Sequence, residues 1–312
     1  MEVCDSELAL SRFVQSGRFS PLRYPGGKGK LARFMKSLIV SNKLSDGRYL
    51  EPYAGGAAIA LELLLTGIVR RIVINDISYP IYCFWKSVVE RADDFCELVH
   101  ETPLNIDEWN RQRAVFNGNC SDQIKLGFSL FFLNRTNRSG IINGGVIGGK
   151  DQAGEWKLDA RFNRSDLIKR IQIIHKMKSF IFVENLDAIE FIKKYQSNST
   201  NKDIFYIDPP YFNKGRYLYY DSYKPSDHNI LSEYIQTNLE ANHVISYDDV
   251  AEIRGLYSRM QWLSYNLNYS ARNYCLGREI MFFDRSLKVP ELPPPLIEID
   301  RGQAQLTAPA AP

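Results

Sequence analysis

The feature that most constrains the fold is a short apolar run that ends abruptly at an acid, two prolines and an aromatic residue. Residues Ile204–Ile207 are followed directly by Asp208, Pro209, Pro210 and Tyr211. An apolar run of this length between breakers is typical of a strand covered on both faces, as in the parallel sheet of an α/β protein. Asp208 is then expected at the carboxyl end of a strand, the edge at which open α/β sheets bind ligands.

These four residues suit the chemistry of an amine conjugated with an aromatic ring, such as the exocyclic N6 of adenine. Such a nitrogen is a poor nucleophile because its lone pair is delocalised into the ring. The carboxylate of Asp208 and the carbonyl of Pro209 can accept its two hydrogens and hold the developing charge. Pro209 and Pro210 form a stiff turn without an N–H, and Tyr211 offers a ring for stacking on the base. The alternative is a strand-ending acid that caps a helix before an ordinary proline turn.

Two features earlier in the chain predict the front half of a nucleotide-binding βαβ unit. A predicted strand ends at Pro52, and Gly55 lies in the glycine turn before the next helix, where a ligand can approach the backbone. Asp76 ends the second strand, about 20 residues past the turn, where such folds place a carboxylate that accepts ribose hydroxyls. Helix capping is the alternative role for Asp76. A nicotinamide dehydrogenase would have both features, so they indicate a fold and leave the reaction open.

Another glycine turn precedes the first amphipathic helix. Gly26 and Gly27 would let backbone N–H groups approach an anion, and Lys28 adds positive charge beside them. The alternative is a glycine turn next to a solvated lysine.

Five short motifs, in this order along the chain, resemble those of the Dam-type group, or D12 class, of DNA adenine-N6 methyltransferases. They are Tyr24-Pro-Gly-Gly-Lys28, Glu51-Pro-Tyr-Ala-Gly-Gly56, Asn75-Asp76, Phe132-Leu-Asn-Arg135 and Asp208-Pro-Pro-Tyr211. The resemblance implies methyl transfer from S-adenosylmethionine to N6 of an adenine flipped out of double-stranded DNA. It implies that Asp208, Pro209, Pro210 and Tyr211 are catalytic, and that the cofactor contacts are Tyr24, Lys28, Gly55, Asp76 and Asp208. Ala57 stands where the family usually has a glycine, so a pocket of altered tightness is expected.

The resemblance also implies a domain organisation. Residues 1–80 and 180–287 are expected to form one discontinuous catalytic domain, a Rossmann-like α/β methyltransferase sheet of about seven strands. Residues 81–179 have a mainly helical pattern and a glycine-rich polar loop, and in the family this interval is the target-recognition domain. The predicted helices cover residues 82–89, 94–100, 107–116 and 123–134.

Polar and basic residues of this interval are candidates for contacts with base edges and phosphates. The predicted DNA-binding residues are Asn134, Arg135, Asn137, Arg138 and, beyond the catalytic motif, Lys214. For any one of them, a solvated surface residue is the alternative.

Composition bounds the remaining possibilities. The net charge of the 312 residues is only +3, so a DNA-binding surface requires local clustering of basic residues. The five cysteines are scattered, without the spacing of a zinc site or a disulfide framework, so we expect no metal and a reducing cytoplasm. No stretch approaches the roughly 20 apolar residues of a membrane span. Residues 288–312 are rich in proline and alanine, which predicts a disordered tail.

Two other classes of function are compatible with these motifs. The acceptor could be cytosine N4, adenine in RNA or a glutamine amide, because each is a planar conjugated amine. The chain could also be a catalytically silent DNA-binding protein on the same fold, which a failure to bind S-adenosylmethionine would reveal. A restriction nuclease or a larger defence system is a candidate partner, and an enzyme acting alone is the alternative. The sequence gives neither the recognised bases nor the oligomeric state.

Overall fold

The computed structural model describes residues 17–23, 28–212, 223–269 and 275–303. Within these ranges the chain forms eight strands: β1 (Arg48–Glu51), β2 (Arg71–Asn75), β3 (Ile181–Glu184), β4 (Ile204–Ile207), β5 (Asn242–Asp248), β6 (Gln261–Tyr269), β7 (Cys275–Phe283) and β8 (Ile297–Gly302). The same ranges contain ten α-helices: α1 (Ala32–Ser41), α2 (Ala58–Leu65), α3 (Tyr79–Glu90), α4 (Ala92–Glu101), α5 (Ile106–Asn117), α6 (Gln123–Thr136), α7 (Arg164–Lys176), α8 (Ala188–Gln196), α9 (Pro225–Asn238) and α10 (Ala251–Leu256). None of these helices is both long and apolar enough to cross a bilayer.

All eight strands belong to one sheet, in the order β3-β2-β1-β4-β5-β7-β6-β8. The first five in this order are parallel, whereas β7, β6 and β8 are joined by antiparallel pairings that begin at β5. The chain order reverses between β1 and β4, and ligands of open α/β sheets bind outside the carboxyl ends of the strands at such a point. The predicted α/β methyltransferase fold is confirmed.

Strand β4 has the bounds that the apolar run predicts. Its four residues are all buried. Ile204 and Tyr206 belong to the larger apolar cluster, and Phe205 and Ile207 to a second cluster. Since successive side chains of a strand point to opposite faces, β4 is apolar at every position because both faces of the sheet are covered.

The residues between β2 and β3 are mainly helical, and the four predicted helices are confirmed with slightly longer bounds as α3 to α6. Their aromatic side chains pack together; for example, the ring centroids of Phe84 and Phe131 lie 5.8 Å apart. Gly127 allows α6 to approach α3, because a Cβ there would lie 2.7 Å from the backbone carbon of Cys83. These helices share one apolar cluster with a face of the sheet, so the boundary of a separate target-recognition domain stays a prediction.

The prediction of a disordered tail from residue 288 is wrong for the part that the structure describes. Residues 288–303 are placed, and β8 pairs antiparallel with β6. Five of the six residues of β8 are exposed, including Ile297 and Ile299. The strand therefore depends on backbone pairing and has no buried face from which periodicity could be recognised. Residues 304–312 lie outside the described residues.

Candidate active site

Asp208 and Lys28 meet at the carboxyl end of β4, although 180 residues separate them. Lys28 begins a short 3-10 turn that leads into α1. Its Nζ lies 2.8 Å from Oδ1 of Asp208 and 3.3 Å from Oε2 of Glu279, and it donates a hydrogen bond to Oγ of Ser246. The ammonium is buried, so it faces two carboxylates in a region of low dielectric.

Burial and these charges shift the pKa values of the pair. Burial alone would lower the pKa of Lys28, but the carboxylates of Asp208 and Glu279 outweigh that effect and hold it well above its usual value. Burial raises the pKa of Asp208, while the Lys28 ammonium opposes this rise. Lys28 therefore favours the ionised form of Asp208, the form that can accept hydrogen bonds from an amine.

Tyr211 lies beside the same ammonium. The Nζ of Lys28 is 5.3 Å from the centroid of the Tyr211 ring. The Tyr211 hydroxyl donates a 2.5 Å hydrogen bond to Oε1 of Glu279, and the Tyr265 hydroxyl donates one of 2.6 Å to Oε2. Tyr211 is only 5% exposed, so a base can stack on this ring only after the residues that cover it move aside.

Asp76 and the glycine turn meet at the end of β2. Oδ2 of Asp76 accepts a 2.9 Å hydrogen bond from the backbone N–H of Gly55, and Oδ1 accepts one of 3.0 Å from Ser78, just before α3. The Asp76 carboxylate thus connects the glycine turn with the segment before α3, and its predicted role as a ribose ligand stays a prediction. Asp76 remains partly exposed.

Three side chains hold this turn in place. Nε1 of Trp85 donates to the carbonyl of Gly55 at 2.8 Å. Nδ2 of Asn75 donates to the carbonyl of Pro52 at 2.8 Å, and Nδ2 of Asn185 donates to the carbonyl of Asp76 at 2.7 Å. Ala57 has a left-handed conformation with φ of 45°, the region that favours glycine, which accounts for the glycine usual at this position in the family.

These features fit the groups of S-adenosylmethionine. A partly exposed carboxylate at the tip of β2 suits a ribose diol, and the left-handed turn at Gly55 brings backbone to the same place. The ammonium of Lys28 points to Asp208 and Glu279 instead, so its predicted contact with the cofactor stays a prediction. Tyr24, the remaining predicted contact, lies outside the described residues.

Glu51 is a further acid at this edge. It ends β1, next to β4, and is buried. The pKa of Glu51 is raised to about 8, mainly by burial and also by the nearby charge of Asp208, while hydrogen bonds oppose the shift. A buried carboxyl group, Glu51, and a partly exposed one, Asp208, therefore lie at the ends of neighbouring parallel strands.

Two of the predicted DNA-binding residues have buried side chains that make hydrogen bonds within the protein. Asn134 bonds to both backbone polar groups of Arg23 through its amide. Asn137 accepts from Nε1 of Trp109 and donates to the carbonyls of Ile141 and Ile142. Both asparagines are buried. In this structure their amides hold the loop through these hydrogen bonds, and their predicted contacts with DNA stay predictions.

The arginines behave differently. Arg138 is exposed, whereas Arg135 is half-buried and donates to the backbone carbonyls of Pro21 and Arg161. Burial lowers the pKa of Arg135 to about 9, and the like charges of Arg23 and Arg170 contribute. Arg23, Arg135, Arg161 and Arg170 form a basic cluster; Arg23 lies in the described segment before Lys28, and the other three lie between β2 and β3. Lys214 lies outside the described residues.

Sequence reasoning missed Glu279, Ser246 and Tyr265, which complete the surroundings of Lys28. A signal was present, because Glu279 directly precedes the apolar run Ile280, Met281, Phe282 and Phe283. An acid at the edge of such a run indicates a buried carboxylate with a specific partner. The partner could not be read from sequence, because it depends on the pairing of β7 with β5.

The chain is similar in sequence to known methyltransferases. The type II methyltransferase M.MjaIII of Methanocaldococcus jannaschii is 24% identical over 228 residues, which cover 67% of this chain and 74% of that protein. The protein LPL1258 from Legionella pneumophila, whose crystal structure is known, is 12% identical; the match covers 86% of each chain and has a TM-score of 0.29. Residues 24–271, well over half of the chain, match the family described as D12 class N6 adenine-specific DNA methyltransferase. The chain therefore belongs to the D12 class of N6 adenine-specific DNA methyltransferases.

Proposed function

We propose that the protein is a site-specific DNA methyltransferase that transfers a methyl group from S-adenosylmethionine to N6 of a flipped-out adenine in double-stranded DNA. Family membership supports the reaction class. One observation carries the assignment of the site: the Asp208 carboxylate, at the carboxyl end of β4, has the Lys28 ammonium 2.8 Å away. This pairing favours an ionised acceptor at the edge where such sheets bind their ligands.

Asp208 acts on the acceptor amine. Its carboxylate and the carbonyl of Pro209 accept the two hydrogens of N6, which localises the lone pair on the nitrogen and stabilises the positive charge that develops there. Pro209 and Pro210 present no N–H that would compete for these acceptors. Tyr211 supplies a ring on which the adenine stacks once it has entered the site.

Asp76 and the turn at Gly55 hold the cofactor. The Asp76 carboxylate binds the ribose hydroxyls, and Gly55, whose N–H donates to Asp76, holds the turn beside that carboxylate. When bound, S-adenosylmethionine supplies a methyl group already activated by its sulfonium. The protein then contributes mainly alignment of the amine with that methyl group.

The basic cluster and Arg138 bind the DNA backbone. A paired adenine cannot reach Asp208 from within a duplex, so the base leaves the stack, and phosphate contacts hold the strand while it does so. Arg138 and Arg161 are exposed and are the members best placed for these contacts. A restriction nuclease or another defence component is a candidate partner on the same DNA.

The proposal is tested by long-read sequencing of DNA from cells that express the wild-type protein or Asp208→Ala. We expect N6-methyladenine at one short sequence with the wild type and none with the variant. A wild type that binds S-adenosylmethionine and methylates only cytosine or RNA would contradict the acceptor. A protein that binds DNA but not S-adenosylmethionine would be a silent DNA-binding protein.

A further inference from the structure

Glu279 is a buried carboxylate that connects two parts of the proposed active site. It lies on β7 and is 1% exposed. Oε1 accepts the hydroxyl of Tyr211 at 2.5 Å, and Oε2 lies 3.3 Å from Nζ of Lys28. One side chain therefore contacts both the proposed stacking residue and the cation that pairs with Asp208.

Packing alone does not account for an acid at this position. A buried charge loses its hydration, and an apolar side chain of similar size commonly stabilises a protein as well or better. Glu279 is instead supplied with donors from three elements. Lys28 reaches it from the turn before α1, Tyr211 from the segment after β4, and Tyr265 from its cross-strand position on β6.

The contact with Lys28 bears on the strength of Asp208 as an acceptor. An ammonium paired with Asp208 alone would offset most of the attraction of that carboxylate for a positively charged nitrogen and compete with the substrate amine for its oxygens. Glu279 attracts the same ammonium from a distance only slightly longer than that to Asp208, 3.3 Å against 2.8 Å. The charge of Lys28 is thus shared between the two carboxylates, so it offsets the negative charge of Asp208 less completely.

The contact with Tyr211 bears on the orientation of the ring. The hydroxyl is the only polar atom of the Tyr211 side chain, and its bond to Glu279 fixes the position of the ring edge. A ring fixed in this way needs less ordering when a base stacks on it, which favours the productive arrangement.

We propose that Glu279 is a positioning residue for methyl transfer: its carboxylate shares the charge of Lys28 with Asp208 and anchors the Tyr211 ring by its hydroxyl, without touching either substrate. This inference rests on the proposed roles of Asp208 and Tyr211. It predicts effects on the rate of transfer and on the titration of Asp208, but not on the affinity for S-adenosylmethionine.

The first test is a double-mutant cycle of Glu279→Gln and Tyr211→Phe. Glu279→Gln should lower kcat by about 10- to 100-fold, the range found when a partner that orients a site residue is lost, with KM for DNA nearly unchanged. In the Glu279→Gln background, Tyr211→Phe should lower kcat by a clearly smaller factor than in the wild type, because the Tyr211 hydroxyl has already lost its charged acceptor. Asp203→Asn removes an equally buried carboxylate at the opposite end of β4 from Asp208 and should leave kcat unchanged.

The second test does not depend on activity. The carboxyl of Asp208 is followed by carbon-13 NMR over a pH series, with Asp208→Asn to assign the signal. The charge of Glu279 raises the pKa of Asp208. The midpoint of the Asp208 titration should therefore move to lower pH in Glu279→Gln, a variant in which the neighbouring groups Lys28, Tyr206 and Tyr265 are all still present.

The outcomes separate the inference from the proposed function. A shifted Asp208 midpoint in a protein that methylates no adenine would contradict the proposed function and support the charge relation. A wild type that methylates adenine, with an unshifted midpoint or additive effects of the two substitutions, would overturn the inference. If Glu279→Gln does not fold, Glu279→Asp keeps the charge but withdraws it from Tyr211; wild-type kcat in that variant would also overturn the inference.

Discussion

The ammonium of Lys28 lies 2.8 Å from Oδ1 of Asp208, and both side chains are largely enclosed by the sheet and the turn before α1. Lys28 belongs to a motif whose resemblance implies a cofactor contact. Its position makes it equally a partner of the proposed acceptor, because the ammonium favours the ionised carboxylate. Its contact with Asp208 belongs to the structure, whereas its contact with the cofactor stays a prediction.

Asp208→Ala should remove most of the methyl transfer while the protein stays folded. Loss of one preorganised group at a developing charge typically lowers kcat by about 10² to 10³-fold, and here Lys28 also loses one of its two carboxylate partners. Single-turnover methylation of duplex DNA measures the effect, and circular dichroism checks the fold. Wild-type activity in Asp208→Ala would remove Asp208 from the mechanism.

Asp76→Ala should weaken S-adenosylmethionine binding by about 1 to 3 kcal/mol, the range for loss of a charged hydrogen-bond partner. Asp76→Asn separates the role of the hydrogen bond to the turn from that of the charge, because the amide oxygen can still accept from the turn while the charge is lost. Titration calorimetry measures both variants. Asp187→Ala, which removes a carboxylate that caps α8, is the control for a purely structural effect. Equal affinities for all four proteins would place the cofactor elsewhere.

Arg138→Ala and Arg161→Ala should each reduce the salt dependence of DNA binding. Each phosphate contact that is lost lowers the slope of log K against log salt by about 0.9 for duplex DNA. Arg71→Ala is a matched control, because Arg71 is also exposed but begins β2 at the opposite end of the strand from Asp76. Fluorescence anisotropy over a salt series measures the slopes. Slopes equal to that of Arg71→Ala would exclude these two arginines from the DNA interface.

Glu51→Gln should change how stability depends on pH. Burial raises the pKa of Glu51 from 4.5 to about 8 in the folded protein. The folded state therefore keeps a proton that the unfolded chain releases, so stability present at low pH is lost as pH rises towards 8. Glutamine does not ionise, so Glu51→Gln avoids that loss. At pH 8 the free energy of unfolding of the variant should exceed that of the wild type by on the order of a few kcal/mol.

Urea unfolding of both proteins at pH 5 and pH 8 measures this difference, with the surface variant Glu90→Gln as control. The wild type and Glu51→Gln should nearly agree at pH 5. Parallel behaviour of the two proteins at both pH values would show that Glu51 titrates normally.

Much of the sheet could be predicted from sequence because its central strands are covered on both faces. Strand β4 is apolar at every position and ends at a proline pair, so both its bounds and the place of Asp208 follow from local chemistry. The glycine turn and Asp76 were also predictable from local sequence, because each lies within a few residues of the end of its own strand.

The remainder depends on contacts that sequence periodicity does not encode. Glu279 reaches Lys28 only because β7 inserts between β5 and β6. Asn134 and Asn137 resemble surface residues of a polar loop, but the close approach of Gly140 to Arg23 buries them. A Cβ at Gly140 would lie 2.4 Å from the Arg23 carbonyl oxygen. Strand β8 has mostly exposed side chains and therefore no apolar pattern.

Tyr211 gives the sharpest test of base flipping. If the adenine leaves the helix and lies against this ring, Tyr211→Ala should lose stacking worth about 1 to 3 kcal/mol. Tyr211→Phe keeps the flat ring but lacks the hydroxyl that binds Glu279, so its activity should fall between those of the wild type and Tyr211→Ala. Tyr211→Trp also supplies a flat ring and should retain much of the activity.

A duplex with 2-aminopurine at the target position reports on the base itself. Its fluorescence should rise when the wild-type protein binds, because the analogue unstacks from its neighbours. An adjacent tyrosine quenches this fluorescence, so Tyr211→Ala should be at least as bright if the base still flips. If Tyr211→Ala were as active as Tyr211→Phe and the probe stayed dark with both, Tyr211 would be a packing residue held by Glu279, and the flipped base would have to bind elsewhere.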